Sequence, residues 1–363
     1  MKYPVTASHA AIRAAAAGAT HRVLAAMLAA ALPFAALPFA TLHATAHAAA
    51  KTEPSAARAL QIRADRIILQ DVVQAGKRLL AVGERGIVLL SDDAGRSWQP
   101  RFTATNRTLS ALAMGDEQRG VAVGHGGTVL TTADGGASWQ TVAVEAAGKD
   151  ALLGVLHAGA QRYVAWGAFG LYLETDDGGA TWRRKQPLGP DFDRHISQVI
   201  VAGNGINNSG GGSGSGGSVH THVWLLVGES GTLARSADAG ATWEAVKSPY
   251  PGSYFGALAT ADGALLAFGM RGNIYRSTDH GANWTRIESG TSLALMRGSR
   301  LDDGRLVLVG NAGLLAVSSD NGTTFSLQKT ARGKGLAQLV QTSGGLVAVG
   351  EAGAETVSLK GKP

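Results

Sequence analysis

Short apolar runs separated by glycine-containing turns follow one another from about residue 65 to residue 359. In the first unit these runs cover residues 67–75, 79–82, 87–91 and 98–102, and most of their residues are apolar or aromatic. Runs of this length between Gly-rich turns predict short β-strands. Four runs make one unit, and the unit recurs at intervals of about 40 residues, a period typical of four-stranded propeller blades.

The second run of each unit ends in a Gly-x-x-Gly turn, which occurs seven times. The turns span residues 83–86, 124–127, 167–170, 228–231, 269–272, 310–313 and 350–353. The seventh unit, residues 336–359, stops one strand short, and residues 58–64 are a candidate source of that strand. Closing a ring with strands from both ends removes exposed sheet edges. We therefore predict an all-β, seven-bladed β-propeller closed by strands from both termini.

A polar motif, here called the box, follows the third run in six units. Its first copy is Ser91, Asp93, Gly95, Ser97 and Trp98. The carboxylate can accept backbone N–H groups of its own turn, the glycine permits a backbone geometry that other residues avoid, and the indole returns to the blade core. Recurrence in blade after blade favours a structural role. The box aspartates are Asp93, Asp134, Asp177, Asp238, Asp279 and Asp320.

The spacing of the boxes exposes one insertion. Successive box aspartates are 41, 43, 61, 41 and 41 residues apart. The long interval contains residues 204–218, which are almost entirely Gly, Ser and Asn. Such a segment cannot bury apolar area, so we expect it to be a flexible loop within a propeller that spans residues 49–363.

The first 48 residues differ from the rest of the chain. Three basic residues and no acidic ones accompany a long apolar run, and Ala46-His47-Ala48 resembles a cleavage site. This pattern predicts a cleaved export signal, residues 1–48, and a periplasmic or secreted protein. An uncleaved membrane anchor is the alternative, because the run is long enough to span a bilayer.

The amino-acid composition argues against several classes of function. The whole chain has a net charge of +6, of which the signal contributes three charges, so the exported chain is weakly basic and nucleic-acid binding has little support. The absence of cysteine excludes disulfides, thiol nucleophiles and thiolate metal sites. His220 and His222 lack a third ligand in the sequence around them, so we expect neither a metal nor a cofactor. We expect a monomer.

Function is expected on the face opposite the boxes. In a four-stranded blade, the Gly-x-x-Gly turns and the connectors between blades share this face, and here the sequence stops repeating. Charged and aromatic residues concentrate in the connectors 191–195 and 250–256, and such residues favour protein contacts. An ordinary solvated loop face is the alternative. The candidate partner-binding residues are Arg85, Arg194, His195, Glu229, Tyr250, Tyr254, Phe255, Arg271 and Arg297.

The box is the Asp-box or BNR repeat, which resembles the repeat of sialidases and other exported propellers. The pattern Val82-Gly83-Glu84-Arg85-Gly86, followed by the first box, is similar to that of the photosystem II stability/assembly factor family, and the resemblance covers about residues 60–360. It implies a non-catalytic protein that helps to assemble or stabilise a membrane complex. It also implies partner contacts through arginines on one face, for which Arg85, Arg194, Arg271 and Arg297 are the candidates.

A glycoside hydrolase of the sialidase type is the alternative function. Such an enzyme requires three substrate-binding arginines and a Tyr nucleophile paired with Glu. Tyr250 or Tyr254 with Glu229 would be the pair here, but no Arg-Ile-Pro motif precedes Ser91. Seven blades also differ from the six that a sialidase resemblance implies, and His195 has no evident partner for acid–base work.

Overall fold

The computed structural model describes residues 63–202 and 223–360, which lie in one compact unit, Leu60–Pro363. The proposed signal, the Gly/Ser-rich segment 204–218, His220 and His222 fall outside the described residues. Within them the regular elements are antiparallel β-strands and three-residue 3-10 turns.

The strands form seven sheets, numbered here as blades in chain order. Blades 1 and 2 contain β1 (Leu69–Ala75), β2 (Arg78–Gly83), β3 (Ile87–Ser91), β4 (Gln99–Phe102), β5 (Leu109–Met114), β6 (Gly120–Gly124), β7 (Thr128–Thr132) and β8 (Gln140–Val142). Blades 3 and 4 contain β9 (Leu152–His157), β10 (Tyr163–Gly167), β11 (Tyr172–Thr175), β12 (Arg183–Arg184), β13 (Ile196–Ala202), β14 (Val223–Gly228), β15 (Leu233–Ser236) and β16 (Glu244–Ala245).

Blades 5 and 6 contain β17 (Tyr254–Ala259), β18 (Leu265–Gly269), β19 (Ile274–Ser277), β20 (Thr285–Ile287), β21 (Leu295–Arg300), β22 (Leu306–Gly310), β23 (Leu314–Ser318) and β24 (Ser326–Lys329). Blade 7 contains β25 (Leu336–Thr342), β26 (Gly345–Gly350) and β27 (Gly353–Val357). The 3-10 turns are Glu84–Gly86, His125–Gly127, Glu145–Ala147, Ala168–Gly170, Glu229–Gly231, Met270–Gly272 and Asn311–Gly313.

The first strands of successive blades contact one another and form an inner ring, in which β1 contacts both β5 and β25. Leu69 of blade 1 is buried in one cluster with Val347 and Val349 of blade 7. The backbone N–H of Ala354 also donates to the carbonyl oxygen of Ala64 at 2.9 Å. The predicted seven-bladed propeller is therefore confirmed. Blade 7 has three strands within the described chain. Of residues 58–64, predicted to supply the fourth strand, residues 58–62 lie outside the described chain, and residues 63 and 64 are not in a strand.

The size of side chains is matched across the first two strands of each blade. Trp166 on β10 lies opposite Gly154 on β9, and Phe268 on β18 lies opposite Gly256 on β17. In the other five blades a valine takes the place of the aromatic residue and a side chain replaces the glycine. These pairs are Asp71–Val82, Ala111–Val123, Gln198–Val227, Arg297–Val309 and Gln338–Val349.

Each box carboxylate binds its own turn. Asp279 accepts hydrogen bonds from Oγ of Ser277 at 2.8 Å and from the backbone N and Nδ2 of Asn283 at 2.9 and 2.7 Å. The indole N–H of Trp284 donates to the carbonyl oxygen of Gly281 at 3.0 Å. Because these donors stabilise the ionised form, the pKa of Asp279 is lowered to about 2. The carboxylate thus holds both ends of the turn.

Acid is expected to weaken the propeller through these boxes. Asp93, Asp177, Asp238 and Asp279 have a folded-state pKa of about 2, against 3.8 for the unconstrained side chain. A lowered folded pKa gives stability that is fully present above pH 4 and lost as the pH falls towards 2. The midpoint of urea unfolding, followed by tryptophan fluorescence, should therefore fall over this range.

The control for the acid experiment is Asp279→Asn, which removes one titrating box and should reduce the slope of the midpoint between pH 4 and pH 2. A wild-type midpoint that stays constant over that interval would contradict the proposed contribution of the boxes.

Candidate functional site

The Gly-x-x-Gly turns and the blade connectors are hydrogen-bonded to one another and form one surface, here called the turn face. In blade 3 the backbone N–H of Ala168 donates to Ala151 O, and that of Gly170 donates to Arg194 O, both at 2.9 Å. In blade 5 the N–H of Met270 donates to Ser253 O at 3.0 Å. Loops held in this way by a rigid scaffold can present side chains in fixed positions.

Three of the predicted residues meet between blades 3 and 4. The backbone N–H of His195 donates to Oε2 of Glu229 at 3.1 Å, and the N–H of Glu229 donates to His195 O at 3.0 Å. Nδ1 of His195 lies 3.4 Å from the same carboxylate oxygen. Nη1 of Arg194 donates to Ser230 O at 3.3 Å. The connector and the next turn therefore form a single polar cluster of two cationic or ionisable groups and one carboxylate.

The predicted aromatic residues have different positions. Tyr250 is half-buried, stacks on Tyr275 with ring centroids 5.9 Å apart and donates its hydroxyl to Met270 O at 3.4 Å. Tyr254 has no exposed surface, and its hydroxyl lies 2.9 Å from Ser248 Oγ. Burial raises the pKa of Tyr254. The prediction that Tyr254 contacts a partner at the surface is therefore wrong, because its side chain fills the core between blades 4 and 5. Phe255 is partly buried on the inner ring.

Arg271 and Arg85 are exposed and occupy the second variable position of their turns, with φ of 57° and 56°. Arg271 belongs to blade 5 and follows Met270, which binds Tyr250. Arg85 belongs to blade 1 and is separated from blades 3 to 5 by blade 2. The patch around blades 3 to 5, here called the central patch, therefore contains Arg194, His195, Glu229, Tyr250 and Arg271, without Arg85.

Arg297 was expected in a connector and lies instead on β21 of the inner ring. Its guanidinium donates to Phe255 O in blade 5 through Nη1 and to Ser197 O in blade 4 through Nη2, the latter at 3.4 Å. The sequence around Arg297 lacked a turn signal that would have separated strand from connector. Its hydrogen bonds join blades 4, 5 and 6 across the inner ring.

Asp71 and Gln338, which the sequence did not single out, occupy the equivalent inner-ring position in blades 1 and 7. The Asp71 carboxylate accepts hydrogen bonds from the backbone N–H of Val72 at 2.9 Å, from that of Leu112 at 3.1 Å and from Nε2 of Gln338 at 3.5 Å. Burial raises the pKa of Asp71 to about 6, against the opposing effects of these donors and of the Arg297 charge. The signal that would have found these positions is the first-strand residue that pairs with the apolar residue before each Gly-x-x-Gly turn.

Each residue of the sialidase-like alternative has another hydrogen-bond partner. Glu229 binds His195, Tyr254 binds Ser248 and Tyr250 binds Met270 O. Residues 63–202 and 223–360 contain no cluster of three or more His, Asp or Glu side chains arranged to hold a metal ion. In the same ranges no helix has the length and apolar character needed to cross a bilayer.

Comparison with known proteins agrees with the propeller. Residues 102–204 match the family model described as photosynthesis system II assembly factor YCF48. The structure "YCF48 bound to D1 peptide" superposes with a TM-score of 0.63 at 17% identity, over 81% of this chain and 93% of that one. YCF48 from Cyanidioschyzon merolae gives 0.59 at 13% identity, over 80% and 95%.

The WD40 propeller domain of Doa1 gives a TM-score of 0.60 at 12% identity, over 79% of this chain and 91% of that one. None of the curated protein sequences matches this chain. The matched segment and the superpositions confirm the resemblance to assembly-factor propellers that the repeat pattern predicted, while likeness at these identities shows the fold alone.

Proposed function

Because the chain is a BNR-repeat propeller that resembles photosystem II assembly factors, we propose that it binds a protein segment of a membrane or envelope complex and assists the assembly or stability of that complex. The proposal is for a non-catalytic, exported, monomeric protein. An exported protein would bind its partner on the outer side of the membrane across which it is exported. A role in photosynthesis is not part of the proposal.

The observation that carries the proposal is the central patch. Arg194, His195 and Glu229 are joined by hydrogen bonds across two chain segments, and Tyr250 stacks against a neighbouring blade. Arginine and tyrosine are enriched where proteins bind one another, especially when the scaffold fixes their positions before binding. On the opposite face the box carboxylates bind their own turns.

The similar structure "YCF48 bound to D1 peptide" shows that a propeller of this kind can hold a peptide. For this chain we therefore propose a peptide segment, rather than a folded domain, as the element recognised. The length of peptide in contact would be set by the central patch, which spans the turns of blades 4 and 5 and the connector that precedes β13.

The role of the central patch is tested by affinity capture from detergent-solubilised membranes. Wild type is compared with Arg194→Ala/Arg271→Ala, and quantitative mass spectrometry measures the captured proteins. We expect the variant to lose at least about 90% of the specific partners, since removal of two interface arginines commonly costs more than 1.4 kcal/mol of binding free energy.

The matched control is Arg96→Ala/Arg119→Ala, which removes two exposed arginines from the box face. It should capture the wild-type set of partners. Equal capture by all three proteins would show that the central patch does not bind the partner.

Hydrolase activity is tested separately with a panel of fluorogenic sialosides. We expect no turnover above buffer, because Glu229 is engaged by His195 and Tyr254 is buried. Turnover that Glu229→Gln abolishes would overturn the non-catalytic proposal.

A further inference from the structure

Phe169 combines exposure with an unfavourable backbone conformation. It occupies the second variable position of the blade 3 turn, with φ 51° and ψ 43°, and 56% of its surface is exposed. A bulky side chain in the left-handed region is a genuine outlier, and an exposed phenyl ring gains nothing from burial. Two unfavourable features therefore coincide at one residue of the turn face.

The same turn in blade 2 shows what the fold itself requires. Gly126 holds the equivalent position there with φ 67°, so the turn forms without a side chain at this site. Glycine adopts this geometry without a steric cost, whereas phenylalanine does not. The left-handed backbone is common to this position, since four further non-glycine residues adopt it with φ between 51° and 57°: Arg85, Ser230, Arg271 and Ala312. Folding therefore does not explain why this position carries phenylalanine.

The phenyl ring has a fixed orientation. It packs edge-on against the imidazole of His195, with centroids 5.0 Å apart and planes at 85°. His195 is held in turn by Glu229, and the backbone N–H of Phe169 points at Nδ1 of His195 at 3.5 Å. A ring that is ordered before binding loses little conformational entropy when a partner covers it.

The surroundings of Phe169 resemble the centre of a protein interface. Arg194 and Glu229 supply polar groups of both signs beside the ring. An apolar anchor within a polar rim of mixed charge suits a peptide with an apolar side chain, since a polyanion would require a rim of one sign.

We infer that Phe169 is the aromatic anchor of the central patch and receives an apolar side chain of an extended peptide segment in the partner. The inference rests on the proposed function and adds to it the residue that dominates affinity and the chemistry of the side chain it takes. Arg194 and Glu229 then fix the orientation of the segment around this contact.

The test uses a phage-displayed library of random twelve-residue peptides as the probe, selected against the full chain. We expect the selected peptides to share one apolar residue. Phe169→Gly should weaken their binding at least tenfold, measured as Kd by fluorescence anisotropy, while the urea midpoint of the variant stays equal or rises because the backbone strain is relieved. A weaker binder that is no less stable is an outcome that a merely structural role for Phe169 would not give.

Phe102→Ala is the matched control, because Phe102 is more exposed than Phe169, at 70%, but lies on the outer strand of blade 1. It should leave Kd unchanged. Replacing the shared apolar residue of the peptide by serine should weaken binding to wild type tenfold and binding to Phe169→Gly less than twofold. A library that yields no binder, or peptides that bind wild type and Phe169→Gly equally, would overturn the inference.

Failure of the proposed assembly function and failure of the Phe169 anchor give different results. If Phe169-dependent peptides are selected but membrane capture does not depend on Arg194 and Arg271, the assembly role is wrong and the anchor stands. If capture depends on those arginines but not on Phe169, the anchor is wrong and the proposed function stands.

Discussion

Gly154→Ala is expected to lower the free energy of unfolding by about 2 kcal/mol, which is large for the addition of one methyl group. That methyl group would lie 2.3 Å from Cε2 of Trp166, which is only 3% exposed and is held by a hydrogen bond from its Nε1 to Ser197 O at 3.2 Å. The indole cannot move away without leaving the core between blades 3 and 4.

The matching second change is Trp166→Val, which alone should cost about 3 kcal/mol through the cavity that it leaves. The double variant Gly154→Ala/Trp166→Val recreates the pair Ala111–Val123 found in blade 2. It should therefore be more stable than the sum of the two single changes predicts, by at least about 1 kcal/mol. Urea unfolding of wild type, the two single variants and the double variant measures this coupling. Strictly additive losses would show that the size match between the strands does not contribute to stability.

The blades could be predicted from the sequence because their turns are set by local chemistry. The box fixes its turn with bonds between residues at most four positions apart, as in Ser91, Asp93 and Ser97. The predicted strands at 67–75, 79–82, 87–91 and 98–102 therefore agree with β1 to β4 within two residues.

Contacts between blades could not be predicted in the same way. The fourth box has the full motif, yet the indole N–H of Trp243 makes no hydrogen bond to its box glycine. The indoles of four other boxes each make this bond: Trp98, Trp139, Trp182 and Trp284. Trp243 packs edge-on against Tyr172 of blade 3 and Trp224 of its own blade, 6.2 and 6.4 Å away. A repeat motif carries no information about such neighbours.

Part of the candidate site could be predicted, because local sequence signals mark its residues. Charge and turn signals located Arg194, His195 and Glu229, whose contacts join adjacent segments of the turn face. Tyr254 and Arg297 have similar local sequence signals but face the core and the inner ring, because strand alternation and a bulge decide their direction. Phe169 was missed because its exposure and its left-handed backbone appear only in three dimensions.

Arg297→Met is expected to destabilise the propeller by about 3 kcal/mol at pH 8, the scale for removal of one member of a buried polar network. The change leaves the carbonyl oxygens of Ser197 and Phe255 without this donor and removes the positive charge that acts on Asp71. Arg183→Met is the control. Its salt bridge with Asp176 joins two exposed side chains, so its loss should cost less than about 1 kcal/mol.

The pH dependence of the same variants identifies the partner charge. The pKa of Asp71 is about 6 in the folded protein and 3.8 in the unconstrained side chain, so the folded state holds its proton more tightly. Stability from this group is therefore present below pH 4 and is lost as the pH rises through 6. Arg297→Met should raise the folded pKa further and extend this loss towards pH 8, whereas Arg297→Met/Asp71→Asn should remove it. Urea midpoints measured between pH 4 and pH 8 test the interaction between Arg297 and Asp71. Parallel profiles for wild type and Arg297→Met would show that the two inner-ring charges do not interact.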